Sequence, residues 1–203
     1  MRLLRVGGDS LLVEVSDTAA AMRVYDEALR REVEAADVVP AARTVLFAGV
    51  SDLTRLEKEL AEWEPERAAA PPAGQGPVVE VPTVYDGPDL DSVARHWDVT
   101  TREVVERHTS QEMLVAFCGF APGFAYCTGV ETTLSVPRLA EPRTRVPAGA
   151  VGLADVFTGV YPSASPGGWQ LIGRTDLVLW DERREQPATL APGTRARFVE
   201  VPR

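Results

Sequence analysis

Lysine is almost absent from this chain of 203 residues, in which Lys58 is the only one. A nucleotide-binding loop of the Gly-x-x-x-x-Gly-Lys-Ser/Thr type therefore does not occur, and neither does a Met-Lys-Met site for attached biotin. The Gly-x-Ser-x-Gly motif of serine hydrolases is also missing. If this chain handles phosphate or carboxylate groups, it must do so with arginine side chains and backbone N–H groups.

Cysteine and histidine are scarce, with two residues of each type. A zinc site needs ligands at short spacing, which these four residues lack: Cys118, Cys127, His96 and His108. We therefore expect no bound metal. Both cysteines flank one glycine-rich loop, where we expect free thiols that pack as small apolar side chains.

Long apolar runs and an excess of basic residues are also missing. No stretch reaches the roughly 18 apolar residues that span a membrane, and residues 1–9 hold no apolar segment of signal-peptide length. The formal net charge of −9 disfavours nucleic acid and anionic membranes as partners. We therefore expect a cytoplasmic protein that acts on a small molecule, and a few local arginines could still hold an anion.

The first third of the chain alternates strand patterns with helix patterns. Strands that alternate with two helices of this kind predict a small α/β sandwich over residues 1–64, with both helices on one face of the sheet. The predicted elements are a hairpin of 2–6 with 10–15, a helix capped by Ser16 or Asp17, a strand at 44–50, and a helix capped by Ser51.

Residues 65–77 are rich in proline and glycine and lack apolar periodicity, so we predict a semi-extended linker. Residues 78–203 hold many short strand patterns, two short helices near Asp89 and Thr100, and tight turns, which is typical of a β-barrel. The predicted fold class is therefore α+β, a small α/β sandwich followed by a β-barrel. The predicted strands of the second domain are 78–85, 111–118, 145–157, 158–161, 169–172, 175–180 and 195–201.

Glycine and proline are concentrated between residues 119 and 174. Glycine permits positive φ and a close approach of the backbone, and proline fixes φ, so this region is forced into particular loop shapes. Two interpretations are open, namely tight corners of a barrel and loops shaped to bind a ligand. Polar side chains that could bind a ligand are interleaved with these turns: Arg143, Arg145, Arg174, Gln170, Tyr126 and Tyr161.

Five motifs follow one another in the second part of the chain. They are Val84-Tyr85-Asp86-Gly87-Pro88-Asp89-Leu90, His108, Gly119-Phe120-x-Pro122-Gly123-Phe124-x-Tyr126, Pro142-Arg143-x-x-Val146-Pro147-Ala148-Gly149, and Ser165-Pro166-Gly167-Gly168-Trp169-Gln170-Leu171-Ile172-Gly173-Arg174-Thr175. In this order they resemble the KipI family, whose bacterial members are the B subunits of 5-oxoprolinase, also labelled allophanate hydrolase subunit 1. The resemblance is dense over 80–203, and it covers the N-terminal region by order of elements. Ala150 stands where the family often has Ser, so a contact made by that hydroxyl would be missing here.

The resemblance implies a fold, a partner and an activity. The second domain would be a cyclophilin-like β-barrel, and the partner would be a homologous protein of the KipA type, the C subunit of 5-oxoprolinase. With a third subunit, such a complex opens 5-oxo-L-proline to L-glutamate using ATP, which this chain or a partner subunit would hold. Two alternatives follow from the same family: an inhibitor of a histidine kinase, and a carboxyltransferase or allophanate-hydrolase-type subunit of urea metabolism that uses a biotin carrier elsewhere.

The resemblance also indicates candidate site residues. Opening a lactam with ATP needs cations for the phosphoryl group and a base for water, so the catalytic candidates are His108, Arg145 and Arg174. Each has a structural alternative, a helix-end histidine or a surface ion pair. The expected substrate contacts are Phe120, Pro122, Gly123, Arg143, Gly149, Tyr161, Gly167, Gly168 and Gln170.

Overall fold

The computed structural model describes residues 1–63, 76–129 and 132–203. The chain forms two compact units, Met1–Ala73 and Gly74–Arg203. Most of the predicted linker, residues 65–75 of 65–77, lies outside the described residues, so its extended conformation stays a prediction. Within the described ranges, no helix has both the length and the apolar character needed to cross a bilayer.

The first unit is a four-stranded antiparallel sheet with two helices. Its elements are β1 (Arg2–Val6), β2 (Ser10–Glu14), α1 (Thr18–Arg30), β3 (Asp37–Pro40), β4 (Thr44–Ala48) and α2 (Leu53–Ala61). The strand order is β1-β2-β4-β3, and the predicted hairpin of β1 with β2 is present.

One face of this sheet carries both helices, as the sequence predicts. Leu11 and Val13 of β2 lie opposite Phe47 and Val45 of β4, so the four side chains share one face. All four are fully buried in a single cluster with apolar side chains of α1 and α2. Burial of one stripe from each helix against this face is what holds the first unit together.

The second unit contains one large sheet, a separate ribbon and two α-helices. Its elements are β5 (Val78–Thr83), α3 (Leu90–His96), α4 (Thr101–Thr109), β6 (Glu112–Cys118), β7 (Ala125–Thr128), β8 (Arg143–Val146), β9 (Ala150–Ala154), β10 (Phe157–Val160), β11 (Ser165–Gly167), β12 (Gln170–Arg174) and β13 (Arg195–Glu200). The large sheet has seven strands in the order β12-β9-β10-β7-β6-β13-β5, and β11 pairs with β8 in the ribbon. One side of the large sheet packs the main core with α3 and α4.

The two edge strands of this sheet, β5 and β12, are brought together by the segment that follows β5. Val84 and Arg174 exchange two backbone hydrogen bonds of 2.9 Å, and the N–H of Gly87 donates to the carbonyl of Ile172. The N–H of Asp89 then donates to the carbonyl of Leu171 at 2.9 Å. The sheet is therefore nearly closed, and the barrel-like fold expected from the sequence is present.

The helix starts follow local chemistry closely. Asp17 accepts the N–H of Ala20 at 2.8 Å and caps α1, as predicted. The cap of α2 is Asp52, one residue after the predicted Ser51, because its carboxylate accepts the N–H of Arg55 at 2.9 Å. The capping box of Thr100 with Glu103 opens α4.

Strand prediction is less accurate than helix prediction. Residues 175–180 form no strand, apart from a single bridge of Trp180 with Ala188. Leu179 is buried, and its neighbours Val178 and Trp180 are exposed. The apolar alternation that predicts a strand here therefore reflects packing of one side chain, without pairing to another strand. The predicted strand 145–157 is broken by a turn at Gly149, where φ is +78°. Both β3 and β7 are four-residue strands that the sequence pattern does not predict.

We predict that Gly87→Ala destabilises the second unit by about 1–3 kcal/mol or more. The added methyl group would overlap the backbone of β12 at Leu171 and Ile172, and backbone atoms cannot rotate away. Urea unfolding followed by tryptophan fluorescence measures the loss. Gly119→Ala is the matched control, since a Cβ there would meet only the Tyr126 ring at 3.8 Å. Equal unfolding midpoints for the two variants would contradict this account of barrel closure.

Candidate functional site

Seven aromatic side chains form one connected group on the side of the sheet opposite the main core. We call this group the aromatic cluster. Neighbouring ring centroids are 4.4 to 6.3 Å apart, mostly edge to face, which is the favourable arrangement for aromatic pairs. Its members are Phe117, Phe120, Phe124, Tyr126, Phe157, Tyr161 and Trp169.

Glycines beneath the cluster let its rings lie directly on the backbone. Gly152 of β9 and Gly159 of β10 are paired across the two strands. A Cβ at Gly159 would come within 2.9 Å of the Trp169 ring, and one at Gly152 within 3.1 Å of the Trp169 Cβ. A Cβ at Gly167 would overlap the Tyr161 ring. The predicted site glycine Gly167 therefore serves aromatic packing.

Phe120 is the exposed member of the cluster. Its side chain is 62% exposed, and its ring still packs edge-on against Phe124 and Tyr161. Its φ of +70° lies in the left-handed region, which costs a residue with a Cβ roughly 1–2 kcal/mol. Pro122 and Gly123 complete the same turn. A strained backbone that holds an exposed aromatic ring is typical of a functional site.

Two guanidinium groups border the aromatic cluster. The Cζ atom of Arg138 lies 6.0 Å from the centroid of the Trp169 ring. Arg143 donates from Nη1 to the Trp169 carbonyl at 3.5 Å and from Nη2 to the Asp89 carboxylate at 2.8 Å. Arg143 is thus held in an ion pair, whereas no carboxylate in the described part of the chain pairs with Arg138.

The two phenol groups of the cluster are protonated, and the nearby arginine charges affect their pKa values. Burial raises the pKa of Tyr126, and the charge of Arg138 opposes that rise. Burial also raises the pKa of Tyr161, against the backbone N–H of Trp169 and the charges of Arg138 and Arg143. Each hydroxyl therefore stays a hydrogen-bond donor at neutral pH.

Arg174 does not join this group. It lies five positions beyond Trp169 in the sequence, which is about 16 Å along an extended strand. Its side chain pairs with Asp86 at 3.3 Å and borders a cavity of about 300 Å³ that is also lined by Pro82, Asp176 and Val201. Gly149 lies at this end of the strand as well, where its carbonyl accepts the N–H of Thr175 at 2.8 Å. Two of the predicted site arginines are therefore separated: Arg143 borders the aromatic cluster, and Arg174 lies at the far end of β12.

Arg145 makes no cation–π contact with the aromatic cluster in the described part of the chain, and Gln170 faces away from the cluster. The Arg145 side chain is exposed and has no ion pair within the described ranges. Gln170 lies opposite Leu153 in the sheet, so it faces the main core, on the other side of β12 from Trp169. Its Nε2 donates to the Pro137 carbonyl at 3.2 Å, and its Oε1 has no partner among the described groups. Gly168 accepts the N–H of Leu139 beside the ribbon.

His108 lies in the core of the second unit, 1% exposed. Its Nδ1 is joined to the Tyr85 hydroxyl at 2.6 Å and its Nε2 to the Thr158 hydroxyl at 3.2 Å, and its ring packs on Phe198. Burial lowers the pKa of His108 to about 3, so the imidazole is neutral. A general base must reach the proton that it removes, and His108 reaches Tyr85 and Thr158. The structural alternative, a histidine whose hydrogen bonds are satisfied near a helix end, therefore fits His108 better than the role of general base.

The structure adds Arg138, which the sequence analysis does not name, and it places Tyr126, to which that analysis assigns no role. Arg138 lies in the loop before β8, and its proximity to Trp169 has no local signal in the sequence. Tyr126 appears there among the interleaved polar residues and within a family motif, without an assigned role. Its hydroxyl makes no hydrogen bond to any other described residue. The Gly-Phe-x-Pro-Gly-Phe-x-Tyr spacing is the signal that places Tyr126 beside Phe124.

Comparisons with known proteins show where this fold occurs. A family model described as carboxyltransferase domain, subdomain C and D, matches residues 1–190. The chain is 47% identical over 150 residues to the 5-oxoprolinase B subunit of Escherichia coli O157:H7, covering 72% of this chain and 67% of that protein. It is 42% identical over 127 residues to the 5-oxoprolinase B subunit of Bacillus subtilis strain 168, covering 61% of this chain and 53% of that protein.

Two solved structures share the fold. The chain superposes on TTHA0988 with a TM-score of 0.76 and 32% identity, covering 97% of this chain and 40% of that one. It superposes on the K. lactis urea amidolyase with a TM-score of 0.71 and 20% identity, covering 98% of this chain and 15% of that one. At that identity the second likeness concerns the fold alone. The chain therefore spans about half to two thirds of these curated relatives and a smaller part of these solved chains.

We predict that acid weakens the second unit through His108. Its pKa is about 3 in the folded state and about 6.5 in the unfolded chain. Between these values only the unfolded state binds the proton. Stability is therefore complete above pH 6.5 and falls by up to about 1.4 kcal/mol per pH unit as the pH drops toward 3.

Unfolding free energies of the native protein and of His108→Asn, measured from pH 7.5 to pH 4, test this effect. Asn keeps a polar group near the Nδ1 position and does not titrate. We expect the variant to be less stable at pH 7.5 and the difference to shrink as the pH falls. Two parallel curves would show that the imidazole is not the titrating group.

Proposed function

The chain belongs to the carboxyltransferase domain, subdomain C and D, family, and we propose that it is the B-type subunit of a 5-oxoprolinase. In this role it helps to open 5-oxo-L-proline to L-glutamate with ATP. Relatives named as the B subunit of 5-oxoprolinase support the role. The observation that carries the proposal for this chain is the aromatic cluster with an available cation, Arg138, at its rim.

The chemistry of 5-oxoproline suits such a surface. The molecule is a small five-membered lactam that bears one carboxylate. Aromatic rings can cover its apolar ring atoms, and a guanidinium group matches the carboxylate with two parallel N–H donors. The near-complete burial of Tyr161 and Trp169 supplies a firm support beneath the exposed Phe120. We therefore place the lactam at the exposed edge of the aromatic cluster.

We place ATP on a partner subunit. N-termini of α-helices are common phosphate sites, but every α-helix of the described residues starts with a carboxylate at or near its first turn. Asp17, Asp52 and Asp89 precede α1, α2 and α3, and Glu103 occupies the first turn of α4. A triphosphate does not fit these positions. The reaction as a whole consumes 5-oxoproline, ATP and two water molecules, one for the lactam and one for ATP, and yields glutamate, ADP and phosphate.

The partner is proposed to be a homologous protein of the KipA type, the C subunit of 5-oxoprolinase. Three apolar side chains stand exposed near the rim of the aromatic cluster: Phe120 at 62%, Val178 at 55% and Trp180 at 41%. A Cβ on Gly123 would lie 2.9 Å from the Trp180 Cβ, so the turn of Phe120 adjoins Trp180. Exposed aromatic residues that group in this way favour a protein contact.

Co-expression of this chain with its companion subunits tests the proposal. We expect glutamate to form from 5-oxoproline only with ATP and the full set of subunits, with one phosphate released per glutamate. An intact complex without ATP-dependent turnover would contradict the proposal. Two further assays address the alternatives: carboxylation of urea with a biotin carrier present, and autophosphorylation of a histidine kinase with and without this chain.

We predict that Phe120→Asn weakens partner binding without loss of stability. Asparagine tolerates positive φ, so the substitution relieves backbone strain while it removes the exposed ring. Because exposed aromatic anchors dominate interfaces, the dissociation constant should rise about 30-fold in a calorimetric titration. Val78→Thr is the control: Val78 is an exposed apolar residue of the same unit, and this variant should bind the partner with native affinity. Native affinity in Phe120→Asn would place the contact elsewhere.

A further inference from the structure

Two polar groups at the rim of the aromatic cluster have no polar partner among the described residues of the fold. Arg138 is exposed and has no ion pair in the described part of the chain, although its guanidinium lies over Trp169. The hydroxyl of the half-buried Tyr126 makes no hydrogen bond to any described residue. Both groups adjoin the ring of Trp169: the Arg138 Cζ lies 6.0 Å from its centroid, and the Tyr126 ring centroid lies 5.5 Å from it.

Ring packing holds Tyr126, and Arg138 borders the same group of rings. The Tyr126 ring is stacked on Phe117 at 4.4 Å, with planes 17° apart, and meets the edge of Trp169 at 5.5 Å. The Arg138 guanidinium lies over the Trp169 ring, and its N–H donors have no acceptor among the described residues. The fold thus presents a cationic fork and one O–H donor around the same indole ring, and neither has a polar partner among the described residues.

We propose that Arg138 and Tyr126 form a binding site for a small ring compound with a carboxylate and a neighbouring amide carbonyl. Arg138 holds the carboxylate through paired N–H donors, and the Tyr126 hydroxyl donates to the carbonyl oxygen. The naming of this ligand as 5-oxo-L-proline rests on the function proposed above. In that setting Arg138 determines specificity, since it separates the amino-acid-derived lactam from neutral lactams of the same size.

The other arginines near this site are less suited to the task. Arg143 already gives its Nη2 to Asp89 at 2.8 Å, and Asp89 is buried, so releasing this arginine would leave a buried charge without its partner. Arg174 is paired with Asp86 and lies about 16 Å away along β12. Arg138 is the cation beside the aromatic cluster that a ligand can engage without breaking an ion pair of the described fold.

Calorimetric titration of the complex of this chain with its companion subunits tests the site. The ligands are 5-oxo-L-proline and 2-pyrrolidinone, which is the same ring without the carboxylate. We expect Arg138→Ala to weaken binding of 5-oxoproline about tenfold or more and to leave binding of 2-pyrrolidinone unchanged. Arg138→Lys should recover part of the loss. Tyr126→Phe should weaken both ligands by a similar factor, because both carry the carbonyl.

Arg197→Ala is the matched control. Arg197 is an exposed arginine of β13 that pairs with Glu80, and its removal should leave both affinities unchanged. Circular dichroism and melting curves of each variant confirm that the fold is intact. Equal losses in Arg138→Ala and Arg197→Ala, or native affinity in Arg138→Ala, would overturn the proposal.

The outcome also separates this inference from the proposed function. Turnover of 5-oxoproline with an unchanged KM in Arg138→Ala would retain the function and reject the site. Binding of 5-oxoproline that depends on Arg138, in an intact complex without ATP-dependent turnover, would retain the carboxylate site and reject the function. Neither binding nor turnover would reject both.

Discussion

The hydrogen bonding of residues 84–89 onto β12 is the constraint on which the second unit depends. The Asp89 carboxylate accepts the N–H of Leu171 at 2.7 Å with one oxygen and the guanidinium of Arg143 at 2.8 Å with the other. One buried side chain therefore links the closure of the sheet, the start of α3 and the β8 ribbon. Hydrogen bonds to charged groups contribute about 1.5–3 kcal/mol each. Gly87 and Gly173 are required because the two backbones meet where a Cβ would stand.

The aromatic cluster follows from this closure. Once β12 is fixed, Trp169 lies over the paired glycines of β9 and β10, and the other rings pack around it. Most of these rings are buried and serve stability. Phe120 is different, since it combines exposure with a backbone conformation that its own side chain disfavours. Strain that persists at an exposed rim is easier to explain by binding than by folding.

The sequence predicts what depends on neighbouring residues. The first hairpin, the caps of α1 and α4, and the barrel-like character of the second unit all come from local spacing and turn residues. Features set by distant contacts are harder to predict. His108 has the position of a helix-end base candidate, yet Tyr85 and Thr158 enclose it from distant parts of the chain. The predicted strand at 175–180 has the right alternation but lacks a neighbouring strand to pair with among the described residues.

In the candidate site, too, features set by neighbouring residues are predicted, and features set by distant contacts are not. The motif around Phe120 places an aromatic residue at a strained turn, and the sequence predicts a role for that turn. It does not predict that Arg143 is held by Asp89, or that Arg174 lies at the far end of β12. Arg138 has no motif of its own, because its position is defined by the ring of Trp169 in a different part of the chain.

A crystal structure of the complex of this chain with its companion subunits and 5-oxo-L-proline is the most direct measurement of the central claim. The account predicts electron density for the ligand at the edge of the aromatic cluster, with its carboxylate on Arg138 and with Phe120 covered by the companion protein. Density for the ligand in the cavity beside Arg174, or wholly within another subunit, would contradict it.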